Sequence, residues 1–366
     1  MSSVARLASA VAPRPRLALL GTGGVGAAFV ARHARLRARG LALPPLAWLA
    51  NSRVLRPCGG SGEDALRQAR SAPACADAGG LPPWAEDELL HAGDVVVDAT
   101  ASDAVAARHV AWLASGVHVA TANKLGNGAA LARAQAIARA RVQSGACYGD
   151  AATVGAGLPL LRSLRALVAG GDRIHRVEGV LSGSLAWLFN HYDGMRPFSG
   201  FVRQAREAGY TEPDPRIDLS GEDVRRKLLI LARAAGMPLQ AEAVQVASLV
   251  PEALAQLPLA RLDAALEALD APLHARFQQA HREGGRLRFL GRFDQDGATV
   301  GLQALPPEHP LCGGGGTDNK VAIFSDRYDA QPLVIQGPGA GADVTAAALL
   351  DDVLAIVAAG GAGSAG

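Results

Sequence analysis

Short apolar runs separated by amphipathic stretches fill the first 150 residues, and they predict strands that alternate with helices. The predicted strands lie at residues 16–20, 46–50, 94–100 and 116–120. An amphipathic pattern that continues to Arg39 predicts a helix after the first strand. Residues 57–85 are rich in Gly, Pro, Ser and Ala, so we expect an irregular or weakly helical excursion there.

The first predicted strand runs directly into a glycine-rich turn. The turn reads G-T-G-G-V-G and comprises Gly21, Thr22, Gly23, Gly24, Val25 and Gly26. In a G-x-G-x-x-G fingerprint the first glycine permits the turn, the second lets the backbone approach a pyrophosphate, and the third lets helix and strand pack closely. Because the helix N-terminus then faces the phosphates, we predict dinucleotide binding in a Rossmann-type domain.

Polar residues at the ends of the next strands extend the predicted cofactor site. The second strand ends in Asn51-Ser52-Arg53, without the acid that an NAD-preferring site usually places there. Arg53 faces either a 2′-phosphate, which favours NADP over NAD, or solvent. Ligands of parallel sheets bind at the carboxyl ends of strands, which places Thr100 and Ser102 near the cofactor. Lys124, just past the fourth strand, is either within reach of the nicotinamide and the substrate or a surface lysine.

From Ile174 onwards the pattern changes to that of a second unit with both strands and helices. It predicts helices at 201–209 and over most of 241–280, and strands at 286–290, 298–304, 319–324 and 333–336. The last strand ends in a second glycine turn, G-P-G-A-G, before a helix predicted at 343–358. We therefore expect the C-terminal segment to fold back against the nucleotide-binding domain, and we include Gly341 among the cofactor-binding residues.

The most acidic stretch, residues 210–227, reads Y-T-E-P-D-P-R-I-D-L-S-G-E-D-V-R-R-K. Its two prolines disfavour a helix, so we predict an ordered loop at 212–219. Ser220 is the predicted N-cap of a following helix, on which Asp223 and Lys227 share one face at i and i+4. Such an acid and amine suit a small zwitterionic substrate. The alternative is a capping box of Ser220 and Asp223 with an exposed ion pair, which contributes only about 0.3–0.5 kcal/mol.

Composition narrows the class of protein. The chain of 366 residues is long enough for two domains, and its 49% hydrophobic and 19% charged residues are typical of a soluble globular protein. With a net charge of +2 and no basic run interleaved with aromatic residues, we expect no nucleic-acid binding. No apolar run approaches 18 residues, so we expect no membrane span. The four cysteines lie far apart, which predicts free thiols in a cytoplasmic protein without structural zinc.

Six segments together resemble a known enzyme family. They are G-T-G-G-V-G, T-A-N-K, T-V-G-A-G-L-P, L-S-G-S-L, the stretch at 210–227 and Q-G-P-G-A-G-A-D-V-T-A-A. In this order, over roughly residues 16–358, the chain resembles the homoserine dehydrogenases, and the stretch at 210–227 is the most specific match. The resemblance implies an α/β fold with a Rossmann-type nucleotide-binding domain and an α+β catalytic and dimerisation domain, and a C-terminal segment that returns to the first domain.

The resemblance also implies a reaction and roles for residues. The family interconverts L-aspartate 4-semialdehyde and L-homoserine with NAD(P)H in threonine, methionine and isoleucine biosynthesis. Lys227 aligns with the proton donor, Asp223 with the acid that orients the substrate and the amine, and Lys124 with the lysine near the nicotinamide. Glu212 and Asp218 align with carboxylates that hold the amino group of the substrate. A homodimer that uses NADP(H) is the expected form of the enzyme.

Two positions depart from the family pattern. The family usually has an acid two residues before T-V-G-A-G, as part of a site for a monovalent cation such as sodium, and here that position is Ala151. The remaining ligands would be the backbone carbonyls of Val154, Ala156 and Leu158, so cation binding is left open. The second departure is Ile217, which replaces one of two paired acids.

The expected organisation has five parts: a tail at 1–15, the NAD(P)-binding domain at 16–152, the catalytic and dimerisation domain at 153–332, the returning segment at 333–358 and a tail at 359–366. With no kinase domain upstream and no regulatory module after Ala358, we expect an enzyme that threonine does not inhibit. Two alternatives stay open. One is a retired NADP(H)-binding sensor or scaffold, which Ala151 and Ile217 favour, and the other is a dehydrogenase of another amino aldehyde or a hydroxy acid.

Overall fold

Two six-stranded sheets form the framework of this computed structural model, which describes residues 15–73 and 89–362. The strands are β1 (Leu17–Leu20), β2 (Leu46–Ala50), β3 (Leu55–Pro57), β4 (Val95–Asp98), β5 (His118–Thr121), β6 (Tyr148–Gly149), β7 (Ile174–Val180), β8 (Val244–Val246), β9 (Arg286–Asp294), β10 (Gly297–Leu305), β11 (Asp318–Ser325) and β12 (Leu333–Pro338). The helices are α1 (Gly24–Ala38), α2 (Gly62–Ser71), α3 (Asp103–Ala114), α4 (Leu131–Ser144), α5 (Leu160–Ala169), α6 (Gly183–His191), α7 (Phe198–Glu207), α8 (Arg216–Leu219), α9 (Glu222–Ala234), α10 (Glu252–Ala255), α11 (Leu259–Ala265), α12 (Asp270–Arg282) and α13 (Ala342–Ala362).

The first sheet has the order β3-β2-β1-β4-β5-β6, and all its strands are parallel except the edge strand β3. Every residue of β1 and β4 is buried, as parallel strands covered by helices on both faces require. Phe29 of α1 and Leu349 of α13 lie in the core on one face, while Trp112 of α3 and Ile137 of α4 lie in the core on the other. The predicted Rossmann-type architecture is confirmed.

The second sheet has the order β12-β11-β7-β9-β10-β8 and is antiparallel apart from β8, which pairs parallel with β10. One face of this sheet packs against α5, α6, α7 and α9 around Val177, Phe289 and Val321. The prediction that 241–280 is mostly helical is confirmed, and the short strand β8 is an exception that its three residues could not reveal.

Helix α13 returns to the first domain, where Leu349 and Val353 share a core with Leu19 and Phe29. The predicted returning segment 333–358 is nevertheless divided, because β12 pairs with β11 in the second sheet and only α13 packs on the first. The helix also continues to Ala362, so the predicted tail at 359–366 is helical over its first four residues. Residues 1–14 and 363–366 of the predicted tails lie outside the described residues.

Helix α2 confirms the helical alternative of the prediction of an irregular or weakly helical excursion at 57–85. Ser61 caps this helix by accepting a hydrogen bond from the backbone N–H of Asp64, and Ala65, Leu66 and Ala69 are buried against the first sheet. The glycines and serines that suggested irregular structure instead flank and start the helix. Residues 74–85 of the predicted excursion lie outside the described residues.

Candidate active site

The stretch at 210–227 folds as a loop, the single turn of α8 and the first turns of α9. The loop predicted at 212–219 therefore ends earlier than expected, because α8 occupies its second half. Gly221 caps α9, and the prediction of Ser220 at that position is wrong. Gly221 has a φ of 79°, and a Cβ there would lie 2.9 Å from the ring of Phe289. Both the backbone and the packing thus favour glycine between the two helices.

A carboxylate on α9 joins two lysines that are far apart in sequence. Asp223 Oδ2 lies 2.8 Å from Lys227 Nζ, one turn further along the helix, and Asp223 Oδ1 lies 3.3 Å from Lys124 Nζ. Lys227 Nζ also donates a hydrogen bond of 2.7 Å to the carbonyl of Leu181. The i and i+4 prediction is confirmed, and the alternative of a capping box is wrong because Asp223 contacts ammonium groups instead of a cap.

This cluster is partly exposed to solvent. The side chain of Lys227 is only 10% exposed, whereas those of Lys124 and Asp223 are 32% and 42% exposed. Burial among surrounding protein atoms raises the pKa of Asp223, but the charges of Lys227 and Lys124 outweigh this and lower it to about 2. Asp223 is therefore ionised at all physiological pH values.

Lysine is rare in this chain. Among its 36 basic residues only Lys124, Lys227 and Lys320 are lysines, and two of the three meet at Asp223. A guanidinium stays protonated under nearly all conditions, whereas an ammonium can give up a proton. Two of the three lysines of the chain share one carboxylate, that of Asp223.

A second carboxylate, that of Asp218 on α8, lies near Asp223. Asp218 accepts hydrogen bonds from the hydroxyl of Ser184, at 2.7 Å, and from the backbone N–H of Glu212, at 2.9 Å. Burial raises the pKa of Asp218, and the nearby charge of Asp223 raises it further, although these hydrogen bonds oppose the change. The side chain of Glu212 is exposed at the rim, so Glu212 and Asp218 lie close together as the family resemblance implies.

The other acids of the stretch have structural partners. Asp214 forms an ion pair with Arg216 at 2.7 Å, and Arg216 donates to the carbonyls of Leu254 and Leu257. Asp214 therefore fastens the loop to the helices that follow. The side chain of Ile217, where the family has an acid, is 57% exposed.

Asn123 ties the loop that carries Lys124 to the end of β4. Its side-chain amide donates to the carbonyl of Ser102 at 2.8 Å and accepts from the backbone N–H of Leu125 at 3.1 Å. Thr100 hydrogen-bonds Asp98 through both its N–H and its hydroxyl. The strand ends that carry Thr100, Ser102 and Lys124 are thus adjacent, as predicted. Sequence reasoning did not single out Asn123, although it lies within T-A-N-K.

A buried polar network packs against the loop that carries Lys124. His109 lies between Asp98, at 3.0 Å from its Nε2, and the hydroxyl of Tyr148, at 3.1 Å from its Nδ1, and both Asp98 and His109 are fully buried. A Cβ at Gly126 would lie 2.2 Å from that hydroxyl. The loop can therefore follow this path only with glycine at position 126.

The fingerprint turn has the close packing that a dinucleotide site needs. A Cβ at Gly26 would lie 1.9 Å from the carbonyl of Gly21, and Gly21 itself has a φ of 101°. Gly23 is exposed, and nothing lies within 4 Å of the position that its Cβ would take. The turn is closed towards the protein and open on its outer side, so its residues fit a bound pyrophosphate.

Three polar side chains line the fingerprint at the end of β2. Asn51 donates to the hydroxyl of Thr22, and Arg70 of α2 donates to the carbonyls of Thr22 and Gly23 at 2.7 and 3.0 Å. Arg53 donates to the carbonyl of Arg70 at 3.2 Å. The sequence did not point to Arg70, because the segment that forms α2 was expected to be irregular or weakly helical. In the structure Arg70 places a second guanidinium near the fingerprint, in addition to that of Arg53.

The C-terminal glycine turn meets the fingerprint, as predicted for Gly341. Gly341 has a φ of 128°, and its carbonyl accepts from the N–H and the hydroxyl of Thr345 in the first turn of α13. A Cβ at Gly24 would be 3.8 Å from that of Ala342. The N-termini of α1 and α13 therefore lie side by side.

The segment at 154–158, which carries the candidate carbonyl ligands, forms a tight turn. Gly155 and Ala156 both have positive φ, at 71° and 49°, and Ala156 is the only non-glycine residue with positive φ in the described parts of the chain. Strain of this kind is concentrated at functional sites. Ala151, the position without the family acid, donates its backbone N–H to Asp352 of α13 at 2.9 Å.

Other classes of site find no support in residues 15–73 and 89–362. No group of three or more His, Cys, Asp or Glu side chains there is placed to hold a metal ion, and no helix is long and apolar enough to cross a membrane. Cys58, Cys147 and Cys312 are free thiols, as predicted.

Comparison with known proteins agrees with this geometry. Residues 21–148 match the family model described as homoserine dehydrogenase, NAD binding domain, and residues 159–354 match the one described as homoserine dehydrogenase. The chain is 36% identical to a homoserine dehydrogenase of Emericella nidulans, over 93% of this chain and 98% of the relative. It is 41% identical to a bifunctional aspartokinase/homoserine dehydrogenase of Zea mays, over 76% of this chain. The match spans only 31% of that longer protein.

Solved structures show the same fold. A crystal structure of a Candida auris protein of unknown function superposes with a TM-score of 0.82 at 33% identity, covering 94% of this chain and 98% of that one. A hyperthermophilic archaeal homoserine dehydrogenase in complex with NADPH superposes with a TM-score of 0.71 at 19% identity, covering 93% of this chain and 97% of that one. The chain belongs to the homoserine dehydrogenase family of NAD(P)-dependent oxidoreductases.

Proposed function

We propose that this protein catalyses the NADP(H)-dependent interconversion of L-aspartate 4-semialdehyde and L-homoserine, with Lys227 as the proton donor to the aldehyde oxygen. The observation that carries the proposal is Asp223, which holds Lys227 and Lys124 together at a position that is partly exposed to solvent. The reaction would serve threonine, methionine and isoleucine biosynthesis.

The geometry of Lys227 suits the proton donor. A bound reduced nicotinamide supplies the hydride that reduces the aldehyde carbon. Negative charge then develops on the aldehyde oxygen. Of the three N–H groups of Lys227, one faces Asp223 and one the carbonyl of Leu181, which leaves the third for the substrate. Lys124 adds a second positive charge that stabilises the oxygen, and its anchor on Asp223 keeps it in place.

The acids of the loop suit the amino group of the substrate. Asp218 uses its two oxygens to accept from Ser184 and from the Glu212 backbone, and each oxygen keeps a further lone pair for an ammonium. Glu212 contributes a second carboxylate at the rim. The semialdehyde bound in this way would lie with its ammonium near Asp218 and its aldehyde carbonyl near Lys227.

The preference for NADP over NAD is supported by Arg53, which lies at the end of β2 and donates to the backbone carbonyl of Arg70, while the guanidinium of Arg70 contacts the fingerprint turn. A guanidinium–phosphate contact contributes about 1.5–3 kcal/mol, so Arg53→Ala should weaken NADP by about 10–100-fold and leave NAD nearly unchanged. Arg53 is the sharper probe, since Arg70 also holds the fingerprint turn. Arg56→Ala on the neighbouring strand β3 is the matched control. Equal losses for both cofactors would contradict the assignment.

The direct test follows absorbance at the nicotinamide band with NADP and L-homoserine. Lys227→Met keeps the side-chain volume and should lower the rate by about 10²–10⁴-fold while NADPH still binds. Lys320→Met, which replaces the third lysine, should have no effect. If the wild-type protein binds NADPH but does not turn over, the sensor or scaffold becomes the leading function. Faster turnover of another aldehyde in a small panel would instead identify a different substrate.

The remaining features of the proposal are its assembly and location. A homodimer is supported by the second sheet, since Phe324 and Val334 lie on the face opposite the helices and Val334 is 38% exposed. Sedimentation of wild-type protein and Val334→Glu tests this, and a monomeric wild type would refute it. The cytoplasmic location stays a prediction that rests on the free thiols.

A further inference from the structure

One buried amide next to the lysine cluster has a half-satisfied set of hydrogen bonds. Asn319, the second residue of β11, is 1% exposed. Its Nδ2 donates a hydrogen bond of 3.2 Å to the carbonyl of Leu181, the same carbonyl that accepts from Lys227. Its Oδ1 is buried and has no hydrogen-bond partner among the described residues. Buried amide oxygens almost always have a partner, so this one calls for an explanation.

The orientation of the amide follows from its neighbour. A carbonyl oxygen can only accept, so the NH₂ group of Asn319 must face Leu181 and Oδ1 must face away from it. The pairing of β11 with β7 sets this contact, because Lys320 lies opposite Val180 and thus brings Asn319 beside Leu181. The reverse orientation would place two oxygens against each other.

The plane of the amide is fixed as well. A Cβ at Gly339 would lie 2.0 Å from Cγ, 2.2 Å from Oδ1 and 2.4 Å from Nδ2 of Asn319, so the backbone of Gly339 lies flat against the amide. Gly339 belongs to the glycine turn between β12 and α13. The first residue of α13, Ala342, lies beside Gly24 of the G-T-G-G-V-G fingerprint. Asn319 therefore lies between the proton donor and the turn that adjoins the dinucleotide site.

We propose that Oδ1 of Asn319 accepts a hydrogen bond from the carboxamide NH₂ of the bound nicotinamide and so sets which way the ring faces Lys227. This inference rests on the proposed function for the identity of the cofactor. The other N–H donor of the reaction is the ammonium of the substrate, but Asp218 and Glu212 already supply carboxylates for it. A neutral amide oxygen suits a neutral amide donor, and Asn319 also holds the Leu181 carbonyl that positions Lys227.

A cofactor analogue isolates this hydrogen bond. In the 3-acetylpyridine analogue of NADP, a methyl ketone replaces the carboxamide, so the analogue has no N–H to donate. Wild-type protein should bind NADP about 3–10-fold more tightly than the analogue, as expected for one neutral hydrogen bond. Asn319→Leu, similar in volume, should lose that discrimination. Asn190→Leu is the matched control, because Asn190 also donates to a backbone carbonyl, at 3.0 Å.

Binding is measured by fluorescence titration, independently of turnover. Equal affinity of wild-type protein for NADP and the analogue would overturn the proposal without any variant, even if Asn319→Leu fails to fold. Unchanged discrimination in a folded Asn319→Leu would overturn it too. If the variant keeps NADP affinity but raises KM for L-homoserine, Oδ1 faces the substrate ammonium and the assignment to the carboxamide is wrong. If the protein discriminates as expected but does not oxidise L-homoserine, only the proposed function fails.

Discussion

Replacing Asp352 with asparagine should stabilise this protein at neutral pH. Asp352 lies on α13, is 7% exposed, and accepts from the backbone N–H of Ala151. Burial raises its pKa from 3.8 to about 6, and the nearby charge of Asp150 adds to this, although Ala151 and Arg162 oppose it. A carboxyl with a higher pKa in the folded state binds protons more strongly there than in the unfolded chain. Its unfavourable effect on stability therefore begins near pH 4, grows as the pH rises and is complete above about pH 6.

The expected magnitude follows from the two pKa values. A shift from 3.8 to about 6 costs about 1 kcal/mol at pH 4.5 and about 3 kcal/mol at pH 7.5. Asparagine can still accept from Ala151 but has no charge to desolvate, and it loses the 3.3 Å ion pair with the half-exposed Arg162. Asp352→Asn should thus raise the free energy of unfolding by about 1–3 kcal/mol at pH 7.5, with a smaller gain at pH 4.5.

Urea unfolding at the two pH values measures this difference. Asp351→Asn is the matched control, because Asp351 is the adjacent residue on the same helix, also lies near Arg162, and is 52% exposed. The control should change the stability by less than about 0.5 kcal/mol at either pH. A gain for Asp352→Asn that does not depend on pH, or a loss at pH 7.5, would refute the reasoning.

Three further predictions concern the site. Gly26→Ala should prevent stable folding of the first domain, because the added Cβ would lie 1.9 Å from the carbonyl oxygen of Gly21. Gly23→Ala should keep the wild-type melting temperature but weaken NADPH binding, and equal melting temperatures for the two variants would contradict this prediction. Asp223→Asn leaves two ammonium groups without their shared counter-ion and should lower kcat by at least about 10²-fold, and an unchanged rate would remove Asp223 from the mechanism. Replacing sodium by choline in the assay tests the turn at 154–158, and we expect slower turnover only if that turn binds a cation.

The sequence was sufficient where a pattern is local. The G-T-G-G-V-G turn predicted the Rossmann-type sheet, since the spacing of its glycines is a local signal and Gly26 packs against Gly21 within the same turn. The pairing of Asp223 and Lys227 followed from helix periodicity alone. Lys124 is different, because only the family resemblance, and not spacing, could place it next to a residue about a hundred positions away.

The missed features depend on contacts distant in sequence. Ser220 is a residue type that often caps the N-terminus of a helix, but in this structure it ends α8. The N-cap of α9 is Gly221, which packs against Phe289 of β9. Arg70 acquires its importance from the fold of α2 beside the fingerprint. Asn319 became visible only when the hydrogen bonds of its amide were followed atom by atom.

The return of α13 also has a consequence for how the protein is made. Leu349 and Val353 complete a core that begins with Leu19, so the first domain cannot close until the last part of the chain has left the ribosome. While the second sheet is being synthesised, the apolar side chains of the first sheet that α13 will cover stay exposed to solvent. Contacts across more than 300 positions predict slow folding and a nascent chain that depends on chaperones to keep that face from aggregating.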